Sequence, residues 1–160
     1  MARQKKKDFT RNIGVDERYE SPVIQKLINV VMKSGKKSIA RRIVYDALGI
    51  LAKKTGGDQK SALALFARAF DQVVPHVEVR SRRVGGGVYQ VPVEVNPKRK
   101  EALGLRWLVK AAKKRSDKDM GKRLGHELID ASEGRGGAVK ERDQMQRTAE
   151  ANRAFSHYAW

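Results

Sequence analysis

A chain of 160 residues fits one domain with a single core, and its 35 lysines and arginines against 18 acids leave a formal charge of +17. That excess repels itself unless a polyanion neutralises it, which makes nucleic acid the leading partner. The absence of cysteine excludes a disulfide framework, a thiolate nucleophile and a Cys-ligated metal, and no apolar run approaches the roughly 18–20 residues that span a bilayer.

Residues 1–20 carry Arg3, Lys5, Lys6, Lys7 and Arg11 with little apolar periodicity, so they are expected to form a basic arm that is extended when free. The basic start has the charge of a signal-peptide n-region. Asp8, Asp16 and Glu17 stand where an apolar h-region would have to be, and the segment reads as a mature cytosolic arm. A helical domain is predicted over 21–160. Ser21-Pro22 supplies a cap and first-turn pair, and Val23, Ile24, Leu27, Ile28 and Val31 recur at helical spacing until Ser34-Gly35. From Lys36 a second stripe of Ile39, Ile43, Val44, Ala47, Leu48 and Leu51 runs to Thr55-Gly56-Gly57. Asp58 caps a third helix bearing Leu63, Phe66, Phe70, Val73 and Val74, closed by Pro75.

The stretch from about 76 to 95 changes period. Val77 and Val79 alternate with Glu78, Arg80 and Arg82, and Val91, Val93 and Val95 oppose Gln90 and Glu94, which is the pattern of a β-hairpin. Its predicted turn holds Arg82, Arg83, Val84, Gly85, Gly86 and Gly87, joining backbone freedom to guanidinium groups. Asn96-Pro97 then starts a fourth helix with Leu103, Leu105, Trp107, Leu108 and Val109, ending among Lys110, Lys113, Lys114 and Arg115. After Ser116-Asp117, Met120, Leu124, Leu128 and Ala131 mark a fifth helix. A sixth, more polar, runs from about Gly137 through Ala149 and leaves a terminal tail. The predicted fold is therefore mainly α: a single-domain bundle of about six helices with one protruding hairpin.

Between His76 and Arg115 eleven basic residues face three acids, a net of +8 in forty residues, and Lys98 and Arg99 stand at a helix amino end where unpaired amides favour anions. A run of charge is commonly just a solvated face; here it passes from hairpin to helix start to helix end, which points to a phosphate-binding surface. Gly35-Lys36-Lys37-Ser38 resembles the close of a nucleotide-binding loop. Val30 occupies the place of the required first glycine, so the segment is better read as a turn presenting cations. His76, His126 and His157 are scattered outside any metal pattern, Asp117 and Asp119 read as capping residues, and Ser81 lacks a nucleophile's setting. No enzyme signature survives, and neither metal nor cofactor is expected. Trp107, Phe66 and Phe70 lie on apolar stripes, whereas Tyr89, Tyr158 and Trp160 are the freer candidates for stacking on bases.

Several segments also carry a resemblance. Gly35-Lys36-Lys37-Ser38 with Ala40, Ile43, Tyr45 and Ala47, SRRVGGGVYQVPVEV from Ser81, Arg106-Trp107, KKRSDKDM from Lys113 and AEANRAFSHYAW from Ala149 resemble the bacterial small-subunit ribosomal protein seven family. The resemblance implies a non-catalytic protein that binds the 3′ major domain of small-subunit rRNA, initiates head assembly and lies beside exit-site tRNA and exiting mRNA. Its implied neighbours are head and platform ribosomal proteins, with no membrane partner and no homo-oligomer. Matched by position, it implies rRNA contacts at Arg3, Lys5, Lys6, Lys7, Lys36, Lys37, Arg80, Arg82, Arg83, Lys98, Arg99, Lys113, Lys114, Arg115 and Met120. It places Val84, Gly85, Gly86, Gly87 and Val88 near tRNA. Departures from the family pattern include Gly87-Val88 in place of small hydroxylated residues, and Glu141, Thr148 and Ala159. An architectural DNA-binding protein that inserts a basic β-ribbon, acting as a dimer with paired arms, is the alternative reading.

Overall fold

The computed structural model describes residues 13–159. Six α-helices occur in it: α1 (Pro22–Val31), α2 (Lys37–Lys54), α3 (Gln59–Val73), α4 (Pro97–Lys114), α5 (Met120–Ser132) and α6 (Gly137–Ala151). Between α3 and α4 stand β1 (Val77–Val84) and β2 (Gly87–Glu94), and a 3₁₀ helix covers Arg153–Tyr158, where the sequence pattern predicts only a tail. The mainly helical bundle with a hairpin is thus the fold observed.

Local chemistry explains where the elements begin. The Ser21 side chain accepts from the Ile24 N–H, Asp58 from Lys60 and Ser61, and Asn96 from Lys98, each satisfying first-turn donors that a helix leaves open. The Lys60 amide is the main reason the Asp58 carboxyl lies below its ordinary range. One anchor precedes α1. The buried Asp16 carboxylate accepts the Tyr45 hydroxyl at 2.8 Å and the Tyr19 N–H at 3.0 Å, so the packed body reaches back into the segment read as arm.

Helix α5 is central, packing against α2, α3, α4 and α6, while α1 lies across α2 and α4. Leu124, Leu128 and Ala131 have no exposed surface, and burying each leucine stabilises the fold by about 1.5–3 kcal/mol. Its position depends on two glycines one turn apart. A Cβ at Gly121 would stand 2.9 Å from Asp46 Cβ, and one at Gly125 would stand 2.9 Å from Ile50 Cδ1 and 3.3 Å from the Ala47 carbonyl oxygen. Gly125→Ala should accordingly lower stability by about 1 kcal/mol, overpacking outweighing the helix propensity gained. The melting temperature should fall by about 2–4 °C. A rise in thermal-unfolding midpoint would show that the α2–α5 contact can yield.

The hairpin is antiparallel and pairs Val84 with Gly87, so only Gly85 and Gly86 turn, at φ +57° and +86°. Positive φ at both positions suits a two-residue connection that matches the strand twist. Gly87 belongs to β2, which corrects the longer turn expected from sequence. The grouping of residues on the two faces of β1 is the one that the alternation predicts. Directly opposed residues share a face, and Glu78, Arg80 and Arg82 are opposed to Val93, Val91 and Tyr89. Glu78 and Val91 are buried, so the packed face of β1 is its charged one, with Val77 and Val79 on the other side.

Candidate nucleic-acid interface

Glu78 fixes the hairpin's base. Its carboxylate, 3% exposed, accepts from Arg80 Nε at 2.5 Å and from Arg99 Nε at 2.6 Å. Burial alone pushes the Glu78 carboxyl up, and the hydrogen bonds from Arg99 and Arg80 outweigh it, holding the group below its ordinary range. The strand is thereby tied to the first turn of α4, and both arginines keep roughly half of their side-chain surface open.

Helix α4 continues the charge. Arg99, Arg106, Lys110, Lys113 and Lys114 are exposed along it, on the side opposite Leu105, Leu108 and Ala112, which have at most 1% of their surface open. Three shallow grooves lie along this ridge, and a fourth continues from them between α2 and α5. One lies between α1 and α4 and includes Lys98; a second beside it shares Val30 and is rimmed by Arg106, Lys110 and Lys114. A third shares Val109 and Lys113 with the second, and holds Lys33, Lys36 and Met120. The last, about 750 Å³, shares Ile39, Ile43 and Met120 and is flanked by Arg18, Arg42, Lys53 and Lys122. Neighbouring grooves have residues in common, so they form one band with an apolar floor and a mainly basic rim that Glu101, Asp46 and Asp119 interrupt.

The structure brings Lys36, Lys98, Lys113 and Met120 onto this band, with Lys37 exposed at the start of α2 beside it. Among the described residues, Lys36, Lys37, Arg83, Lys98 and Lys113 have no acidic partner. Arg80 and Arg99 share Glu78, and Lys114 lies 3.7 Å from Glu141, to which Lys110 is closer at 2.7 Å. Glu141 therefore has a local consequence: it draws charge from the end of α4, and its own carboxyl is held low chiefly by the Lys110 hydrogen bond. Arg115 is the most heavily engaged of the set. It donates to Glu127 at 2.9 Å and Asp130 at 2.8 Å, and approaches Asp117 at 3.6 Å. Burial alone lowers the Arg115 pKa, and the hydrogen bonds to Asp130 and Glu127 outweigh it to raise the value.

At the hairpin tip Arg83 and Val88 are paired across the ladder and exposed, on the face turned from the body. The predicted tip residues Val84, Gly85, Gly86, Gly87 and Val88 do lie together. Arg3, Lys5, Lys6, Lys7 and Trp160 fall outside the described residues. Tyr89 and Tyr158 require correction as free stacking platforms. The Tyr89 ring packs against Phe155 at 5.1 Å and Tyr158 at 5.4 Å between centroids. Asp117 is not a simple cap either; His126 Nδ1 lies 3.1 Å from it, the main reason its carboxyl is held low.

Sequence reasoning missed the floor of the band. Ile39 and Ile43 at i and i+4 read as core positions, yet Ile39 is 53% exposed and both line the grooves. Among the described residues no three His, Asp or Glu side chains gather as a metal site, and none of the helices is long and apolar enough to cross a membrane.

A basic band over an apolar floor, joined to a cationic hairpin, is the arrangement of a helical RNA-binding protein that meets a folded polyanion over a broad surface. Residues 2–153 match the family described as ribosomal protein S7p/S5e, and the chain belongs to that family. It is 53% identical over 150 residues to the small ribosomal subunit protein uS7 of Pseudoalteromonas translucida, covering 94% of each chain. It is 54% identical over 151 residues to that of Psychromonas ingrahamii, covering 94% of this chain and 95% of the relative. To that of Xylella fastidiosa it is 51% identical over 150 residues, covering 94% of each. A protein of this family is a structural component of the ribosome and not an enzyme.

Proposed function

We propose that this chain is a structural constituent of the small ribosomal subunit in the cytoplasm, where it binds the 3′ major domain of the rRNA and initiates assembly of the head. The observation that carries the binding surface is the continuity of the four grooves from Lys98 at the start of α4 to Lys122 on α5. Phosphates lie on the rim lysines and arginines, and the apolar floor accepts sugar and base surface exposed where a strand leaves a duplex. The hairpin tip from Val84 to Val88 extends toward exit-site tRNA and the path of exiting mRNA, and head and platform proteins cover other parts of the surface.

Chemical footprinting of the head-domain rRNA fragment, with and without the protein, tests this directly. Protected nucleotides confined to that fragment are expected; equal affinity for unrelated structured RNA at physiological salt would overturn the specific part. For the tip, Arg83→Ala should reduce the slope of log K against log salt by about 0.7–0.9, the contribution of one phosphate contact. Stability should stay within about 0.5 kcal/mol, since the side chain is exposed and has no acidic partner among the described residues. An unchanged salt slope would remove Arg83 from the contact set.

A further inference from the structure

A two-stranded hairpin is marginal by itself in water, so the angle at which this one leaves the body must be set by what its packed face touches. At the base that contact is Glu78 with Arg99. Beyond that tie Val91 is fully buried and α6 lies against both strands, and farther out the packing is aromatic. The Tyr89 ring lies against Phe155 and Tyr158 of the 3₁₀ helix, and His157 packs on Tyr158 at 3.9 Å between ring centroids. β2 contacts that 3₁₀ helix and α6, while β1 contacts α6. Gly87 is part of the same arrangement. A Cβ built there would stand 3.0 Å from the Tyr89 ring, so the ring folds back along its own strand over the glycine, toward the tip. Opposite Tyr89 in the ladder is Arg82, and directly opposed side chains on one face lie about 5 Å apart.

We propose that Tyr89 is a positioning residue, clamped by Phe155 and Tyr158, that holds the outer half of the hairpin at the angle its RNA contact needs. The carboxy-terminal 3₁₀ helix is then a brace for the hairpin, and Gly87 tightens the tip by admitting the ring. Loss of the clamp leaves β1 and β2 paired and held at their base by the Glu78–Arg99 tie and by α6, with the outer half free to swing. A binding-competent angle populated about one tenth of the time weakens apparent affinity about tenfold.

This rests on the rRNA-binding reading, and the test separates the two. Tyr89→Ala, Phe155→Ala and Tyr89→Phe would be compared in the full chain by amide hydrogen exchange of residues 77–94, by helical thermal unfolding, and by affinity for the head-domain rRNA fragment. Tyr89→Ala and Phe155→Ala should speed exchange in the hairpin, leave exchange in α2 and α5 unchanged and weaken RNA binding about tenfold. Tyr89→Phe, which keeps the ring, should match the parent in all three. Unchanged hairpin exchange in Tyr89→Ala would overturn the brace, and faster exchange with full RNA affinity would overturn its role in positioning. If the parent protein itself fails to bind the fragment, the functional reading falls and the exchange data alone decide whether the brace exists.

Discussion

Arg115→Ala is expected to destabilise the protein by about 3 kcal/mol and to lower its melting temperature by about 6–12 °C, an effect on folding rather than on RNA contact. The reason lies beneath the guanidinium. Glu127 is 1% exposed, and besides Arg115 its carboxylate accepts the Ala138 N–H at 2.9 Å, at the first turn of α6. Gly136 and Gly137 allow that close approach, with a Cβ on Gly136 falling 2.9 Å from the Glu127 oxygen. One buried carboxylate on α5 thus joins the end of α4 to the start of α6. Removing the arginine strands that charge, and breaking a buried pair from one side costs about 3–5 kcal/mol in comparable cases; partial exposure of Arg115 places it at the low end. Adding Glu127→Gln should recover much of the loss, because the amide oxygen still accepts from Ala138 and the carboxylate that then lacks Arg115, Asp130, is partly exposed to water. A variant that melts within 2 °C of the parent, by the roughly 2–4 °C per kcal/mol scale, while losing RNA affinity would instead make Arg115 an RNA residue.

The second large effect concerns binding. Replacing Lys36, Lys37, Lys113 and Lys114 together by alanine removes four exposed cations from the ends of α2 and α4. Each phosphate contact contributes about 0.7–0.9 to the salt slope, so the slope should fall by about 3. At physiological salt this corresponds to about two to three decades of affinity. None of the four is buried, and among the described residues only Lys114 pairs with an acid, a distant one, so far-ultraviolet dichroism and melting should be nearly those of the parent. Titration of the head-domain fragment across a salt series provides the measurement. A parallel line, shifted but with the parent's slope, would mean that these lysines act through something other than phosphate.

Legibility in the sequence tracks the range of the interactions involved. The starts of α1, α3 and α4 are legible because cap, proline and first turn are neighbours in the chain, and the hairpin because alternation with a glycine turn is local. Alternation alone groups Glu78 with Arg80 and Arg82 without showing that this face is the packed one, because its second partner, Arg99, is 21 residues away. The cations of the candidate site are individually visible; their division is not. Arg80, Arg99 and Arg115 are committed partly to acids that only tertiary packing delivers, and Lys36 and Lys113 meet across helices far apart in sequence. The 3₁₀ helix escapes notice because its six residues carry too short a pattern, and its aromatic rings acquire a purpose only once Tyr89 is beside them.

Among the described residues the hairpin pairs with no third strand, so both of its outer edges carry backbone donors and acceptors to which another extended chain could add. Before it joins RNA, the free protein must avoid that fate. β2 interrupts its edge with Pro92, which has no N–H to offer, and β1 sets Arg80, Arg82 and Arg83 along the other. A second copy approaching edge to edge would bring like charge against like charge. The arginines proposed for phosphate contact thereby also oppose edge-to-edge pairing, and a variant stripped of them is expected to self-associate more readily as well as to bind RNA less tightly.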